Sequence, residues 1–235
     1  MFERLYASGW HNPGLFWLVG AGFFVWLLRA RPFLRSFLLL FTLEILADAW
    51  QSGTLASPLV AAAGLATPVA IAFVILGDHR YFLLVERYAS IEGEPSKAAL
   101  AGLGPARTWL VALAFALGVP IASTLVHTVA LPEHFTDPRR TFLLYEAMFL
   151  VLALALRFGV LPRRLAHASE PIRLWLLGVT SFVAVQYALW ATADVVILAT
   201  GGDGGFLLRI VPNVLYYAAF LPFVAATAPR EAWAE

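Results

Sequence analysis

The sequence predicts an all-α membrane protein, a single bundle of seven transmembrane helices with the N-terminus outside and the C-terminus cytoplasmic. Three observations carry this expectation. Of 235 residues, 61% are apolar and only 13% are charged, against about 45–50% and about 25% in soluble domains. The apolar residues gather into seven stretches, most of them near the length of about 20 residues that crosses a bilayer as a helix. Lys and Arg fall unevenly on alternate sides of those stretches.

The first stretch runs about Pro13 to Leu28 and stops at Arg29-Ala-Arg-Pro32. The second runs about Phe33 to Trp50 and the third about Pro58 to Leu76, extended to Tyr88 by an amphipathic tail beginning at Asp78. The fourth covers about Trp109–Leu131, the fifth Thr141–Leu161, the sixth Ile172–Ala199 and the seventh Phe206–Ala228. Gln51-Ser-Gly, Gly93-Glu-Pro95, Leu131-Pro-Glu, Leu161-Pro-Arg and Gly201-Gly-Asp-Gly-Gly205 break them apart. Barrel strands would instead alternate over segments of about ten residues. The spans leave no room for a soluble domain, so residues 1–235 form one transmembrane domain.

The side reached after the first stretch receives 12 of the 16 Lys and Arg residues. That side is cytoplasmic by the positive-inside rule. Trp10 and Trp50 then fall at the outer interface, and Trp26, Trp109 and Trp175 near the inner one, as an aromatic belt requires. The start of the chain lacks a short apolar core followed by a small-residue cleavage site, so the first span reads as a retained anchor. The small residues from Ala61 to Ala66 permit close approach and place the third helix inside the bundle. Pro68, Pro120, Pro212 and Pro222 lie within spans, where each frees a backbone carbonyl. A faint echo relates spans one to three with five to seven: Leu28-Arg29 with Leu156-Arg157, Ala47-Asp48 with Ala193-Asp194, and Pro68 with Pro212.

Composition excludes several kinds of chemistry. A net charge of +1 without a basic run offers nothing to nucleic acid. The absence of cysteine removes disulfides, thiol nucleophiles and thiolate metal sites. The five histidines, His11, His79, His127, His134 and His167, form no H-x-x-x-H pair, and neither a metal nor a cofactor is expected. Ser123 and His127 are spaced i, i+4, but no nucleophile-elbow motif accompanies them. The glycine run at 201–205 lacks a phosphate-loop lysine. The topology matches that of rhodopsins, yet the only lysine is Lys97 in a cytoplasmic loop, so a retinal Schiff base is excluded.

Ionisable residues inside spans are expensive and mark function. Glu44, Asp48 and Gln51 share one helical face at i, i+4, i+7. Tyr187, Trp190 and Asp194 form a second stripe, and Arg209, Asn213, Tyr216 and Phe220 a third. Counted at 1.5 Å per residue, Asp48, His127, Glu146, Asp194, Arg209 and Asn213 all fall in the outer third of the bilayer, with Glu44 a turn deeper. Turned inward together, Glu44, Asp48, His127, Glu146, Asp194, Asn213 and Tyr216 would line one outward-facing polar cavity that binds protons or a ligand. Interfacial residues snorkelling independently are the competing explanation, with Asp48 and Arg209 the easiest to account for that way. Asp78, His79 and Arg80 read either as an interfacial helix end with intrahelical pairs or as a cytoplasmic gate. A shift of the third span to about Ala66–Tyr88 would instead make these three central.

The expected function is that of a multi-pass plasma (inner) membrane protein that binds, senses or translocates a small solute or protons, with the lipid bilayer around it. Two alternatives accompany it: a non-catalytic subunit or assembly factor pairing with another membrane protein, and an intramembrane enzyme using paired carboxylates on a lipid or isoprenoid substrate.

Overall fold

The computed structural model describes residues 1–28, 32–52, 58, 62–64, 66–89, 104–130 and 138–233. Among these the regular structure is entirely helical. Four helical stretches are long and apolar enough to cross a membrane: Ala106–Val129, Arg139–Arg164, Glu170–Thr200 and Asp203–Thr227. Their surfaces fit that solvent. Leu110, Val151 and Phe158 are each well over half exposed, which water would penalise and lipid does not.

In chain order the helices are α1 (Phe2–Tyr6), α2 (Phe16–Leu27), α3 (Pro32–Ser52), α4 (Ala66–Ala89), α5 (Ala106–Leu125), α6 (Pro138–Ala155), α7 (Leu161–Arg164), α8 (Glu170–Thr200), α9 (Asp203–Val214), α10 (Phe220–Thr227) and α11 (Arg230–Trp233). Wider π-helical turns at Trp10–Leu15, Val126–Ala130, Leu156–Val160 and Leu215–Ala219 join or extend them. Local sequence explains several boundaries. Proline opens α3 and stands in the first turn of α8, where its missing N–H is not needed. Gly201 ends α8 in the left-handed conformation, its N–H bonded to the Ile197 carbonyl.

Successive long helices pack side by side: α2 on α3, α3 on α4, α4 on α5, α5 on α6, α6 on α8 and α8 on α9. The circle closes where the turn Leu215–Ala219 meets α2 and α10 meets α3. The Phe2 and Glu3 amides donate to the Asp203 carboxylate at one end, and the Tyr88 hydroxyl donates to the Ala232 carbonyl at the other.

Helix α4 is the interior helix. All residues from Gly77 to Tyr88 are buried, although this run holds Asp78, His79, Arg80, Glu86 and Arg87. Its partners come from every side: α8 through Tyr81 and Thr180, α7 through Glu86 and Arg164, and α11 through Tyr88. The third apolar stretch therefore differs from its expected placement at Pro58–Leu76 with a cytoplasmic tail. It is the shifted register, and Gly77 and Asp78 stand at the middle of this 24-residue helix. The reason is physical: protein, not lipid, surrounds the charged half, so its hydropathy does not limit its depth. Gly93–Pro95, Leu131–Glu133, Arg29, Arg31, Lys97, His134 and, in the small-residue run, Ala61 and Leu65 lie outside the described residues.

Candidate functional site

Two buried clusters of charge occupy the bundle. The first lies toward the N-terminal end, between α6, α8 and α9. Asp194 on α8 is fully buried. Arg139, at the start of α6, donates from Nη1 to Asp194 Oδ1 at 2.8 Å. Arg209 on α9 pairs its Nη1 with the same oxygen and with Glu146 Oε1, the latter at 3.2 Å. The Arg209 Nε donates to the Tyr6 hydroxyl at 3.1 Å, so α1 covers this cluster. Two carboxylates thus meet two guanidiniums, and the group is charge-balanced. Buried acids in that arrangement are held by their partners.

The second cluster lies at the middle of the bundle, around α4. Asp78 is bonded on both oxygens: Tyr187 donates to Oδ1 at 2.6 Å and Tyr145 donates to Oδ2. Arg80, only 2% exposed, donates from Nη2 to the Tyr216 carbonyl at 2.9 Å. That carbonyl belongs to the π-helical turn Leu215–Ala219, a local widening frequent at functional sites. The Arg80 guanidinium also lies 4.2 Å from the Tyr216 ring centre and 4.8 Å from that of Phe220, within cation–π range. Its Nη1 faces Glu44 Oε2 across 3.7 Å, beyond hydrogen-bonding distance. Asp48, one turn along α3 from Glu44, accepts from the Gln51 amide at 3.3 Å.

The two clusters differ in charge balance. Glu44, Asp48 and Asp78 surround one guanidinium, that of Arg80. With every group ionised, two negative charges are left over. Burying such an excess is unfavourable unless protons or a cation offset it.

The sequence-predicted residues separate accordingly. Glu146 and Asp194 come together, through Arg209 and Arg139. Glu44 and Asp48 join Asp78 and Arg80, which stand at mid-helix instead of at a cytoplasmic gate. Tyr216 lies beneath Arg80. Asn213 accepts from Trp190 Nε1 at 2.7 Å, and the Trp190 ring bridges Tyr187 and Tyr216. His79 turns to the α5 side, its Nε2 at 3.3 Å from the Trp109 carbonyl. His127 is half-buried on the turn Val126–Ala130. The carboxylates therefore form two groups divided by their guanidinium partners, not one set of acids. Among the described residues no three His, Asp or Glu side chains converge as metal ligands.

No protein-family model, curated protein or solved structure matches this chain. Its chemistry is read from its own geometry.

Arg139 and Tyr145 escaped the sequence reading. Arg139 stands in a connecting segment, where a charge is ordinary. Tyr145 precedes Glu146 and faces a different neighbour, α4, which only the rotation of α6 reveals. Arg209 looked free to snorkel but is 14% exposed and pinned between two acids.

Proposed function

We propose that this chain is a seven-span plasma (inner) membrane protein, N-terminus outside, that binds, senses or translocates protons or a small solute at the central site formed by Glu44, Asp48, Asp78 and Arg80. The observation that carries the reading is the acid excess of that site. Charges buried at the depth of a bilayer are maintained only where they act. A balanced pair suffices for structure, whereas an excess that needs a mobile positive charge suits exchange.

Two features support an opening toward the N-terminal end. The polar side chains concentrate between mid-bundle and that end. The other half is filled by a packed apolar cluster including Leu34, Leu38, Leu83, Leu84, Val179 and Val224, closed at its tip by the paired Glu86 and Arg164. The inward rotation of the charged residues also argues against the subunit reading, which needs them on the lipid-facing surface.

The test is reconstitution into liposomes loaded with a pH indicator, under an imposed pH gradient and membrane potential. Wild-type protein gives a proton flux, or solute uptake driven by the gradient. Asp78→Asn, with folding monitored by circular dichroism, lowers it at least about tenfold, the equivalent of about 1.4 kcal/mol. A wild-type protein that leaves the gradient and every offered solute untouched, and whose carboxyls do not titrate, overturns the reading.

A further inference from the structure

We propose that Glu44 is the single proton-exchanging carboxyl of this protein and that Arg80 is its fixed, releasable counter-ion. This deepens the proposed function and rests on it: it names the exchanged species as a proton and its carrier among the buried acids.

The argument is one of hydrogen-bond supply. A buried carboxylate keeps its charge where donors or cations replace water. Asp78 has a tyrosine hydroxyl on each oxygen. Asp48 has the Gln51 amide. Asp194 and Glu146 are held by Arg209, and Asp194 also by Arg139. Glu44 differs from all of them. Its side chain is 9% exposed, and neither carboxylate oxygen has a hydrogen-bond partner. Facing it, Arg80 Nη1 is equally without a hydrogen-bond partner. Three polar atoms meet across a 3.7 Å gap that is too long to be a hydrogen bond.

Arg80 does not depend on Glu44 to stay in place. The Tyr216 carbonyl and the Tyr216 and Phe220 rings hold it. Glu44 can therefore take a proton from hydronium, becoming a neutral acid and releasing water, while Arg80 remains charged beside Asp78 and Asp48. On losing the proton to water, Glu44 closes on Nη1. The charged and titratable groups facing Glu44 are Asp48 on its own helix, Asp78 and Arg80 on α4, and Tyr216 and Tyr217 on the turn before α10. His79 faces the other side of α4, toward Trp109. Protonation removes one of the two excess negative charges of the site. A divalent guest is not favoured, because no metal-ligand group forms among the described residues.

Infrared difference spectra of the full-length protein in liposomes, recorded on acidification, read this directly. A carboxylic-acid carbonyl band grows in, and carboxyl-labelled ¹³C-glutamate shifts it while ¹³C-aspartate does not. Glu44→Gln abolishes the band and Glu44→Asp restores it with altered pH dependence, whereas Glu146→Gln leaves it unchanged. The isotope arm needs no substitution, so misfolding of a variant cannot mask the answer. A band that moves with labelled aspartate, or that survives Glu44→Gln, overturns the assignment of Glu44 while leaving a proton-binding protein. A wild-type protein without any such band and without gradient-driven flux defeats the proposed function as well.

Discussion

Arg209 reconciles two acids that α6 and α8 bring to one depth. Without it Glu146 loses the cation beside it and Asp194 keeps Arg139 alone. Breaking a buried pair by removing one partner costs about 3–5 kcal/mol. Arg209→Met should therefore lower stability in detergent unfolding by that order. Arg209→Met/Glu146→Gln should recover part of it, since the two residues act as a unit. Additive losses in the double variant would show that the contact carries no coupling. His11, near the N-terminal end and outside the spans, offers a pH readout. It is 5% exposed, with Nδ1 at 2.8 Å from the Tyr6 carbonyl and no partner on Nε2. Burial lowers its pKa below the ordinary 6.5. The unfolded chain then binds a proton at higher pH than the folded one. The stabilisation is complete above 6.5 and is lost as pH falls from there toward the folded value. Protection factors of amides in α1 and the turn Trp10–Leu15 should fall over that window in the wild type, and stay flat in His11→Asn.

Element-scale reasoning sorts the glycines at 201–205, which read from sequence as one flexible turn. Gly201 has φ of +61° and ends α8, a conformation that residues with a Cβ adopt at a penalty. Gly205 lies inside α9 where that helix crosses α8. A Cβ there would meet the Ile197 side chain, the Ile197 backbone nitrogen at 3.0 Å and the Ala193 carbonyl at 3.2 Å. Backbone on the facing side cannot swing away, so Gly205→Ala should cost about 1–3 kcal/mol. Gly204→Ala meets open space and should be neutral or stabilising by a few tenths up to about 1 kcal/mol. Melting temperatures of the two variants decide this, and equal values would mean that the α8–α9 crossing is not close-packed. The outcome matters for function, because this crossing sets Arg209 against Asp194.

At the scale of the whole molecule, four helical stretches are long and apolar enough to cross a membrane. The chain has no cysteine, so single introduced thiols report without background. With the proposed orientation, Gly202→Cys should label from outside intact cells and Arg163→Cys only after permeabilisation. Labelling of both from one side would refute the seven-span topology. Each of the seven apolar stretches overlaps a helix of the structure, and this much was legible because hydropathy and breakers act along the chain. The third was misplaced because Asp78, His79 and Arg80 look polar to a hydropathy argument that cannot know a helix is wrapped by its neighbours.

By itself the sequence determined a membrane-compatible, all-helical chain, since hydropathy and helical spacing are read along it. Rotation about each axis does not follow from counting. Only the tertiary structure decided which acid meets which guanidinium. Arg209 claims Asp194 and Glu146, Arg139 adds to Asp194, and α4 carries Arg80 to Glu44. That division, balanced at one end and acid-rich at the centre, arises from the packing of neighbouring helices around α4, and side-chain pairing over a few ångströms is not encoded in the spacing of any one of them.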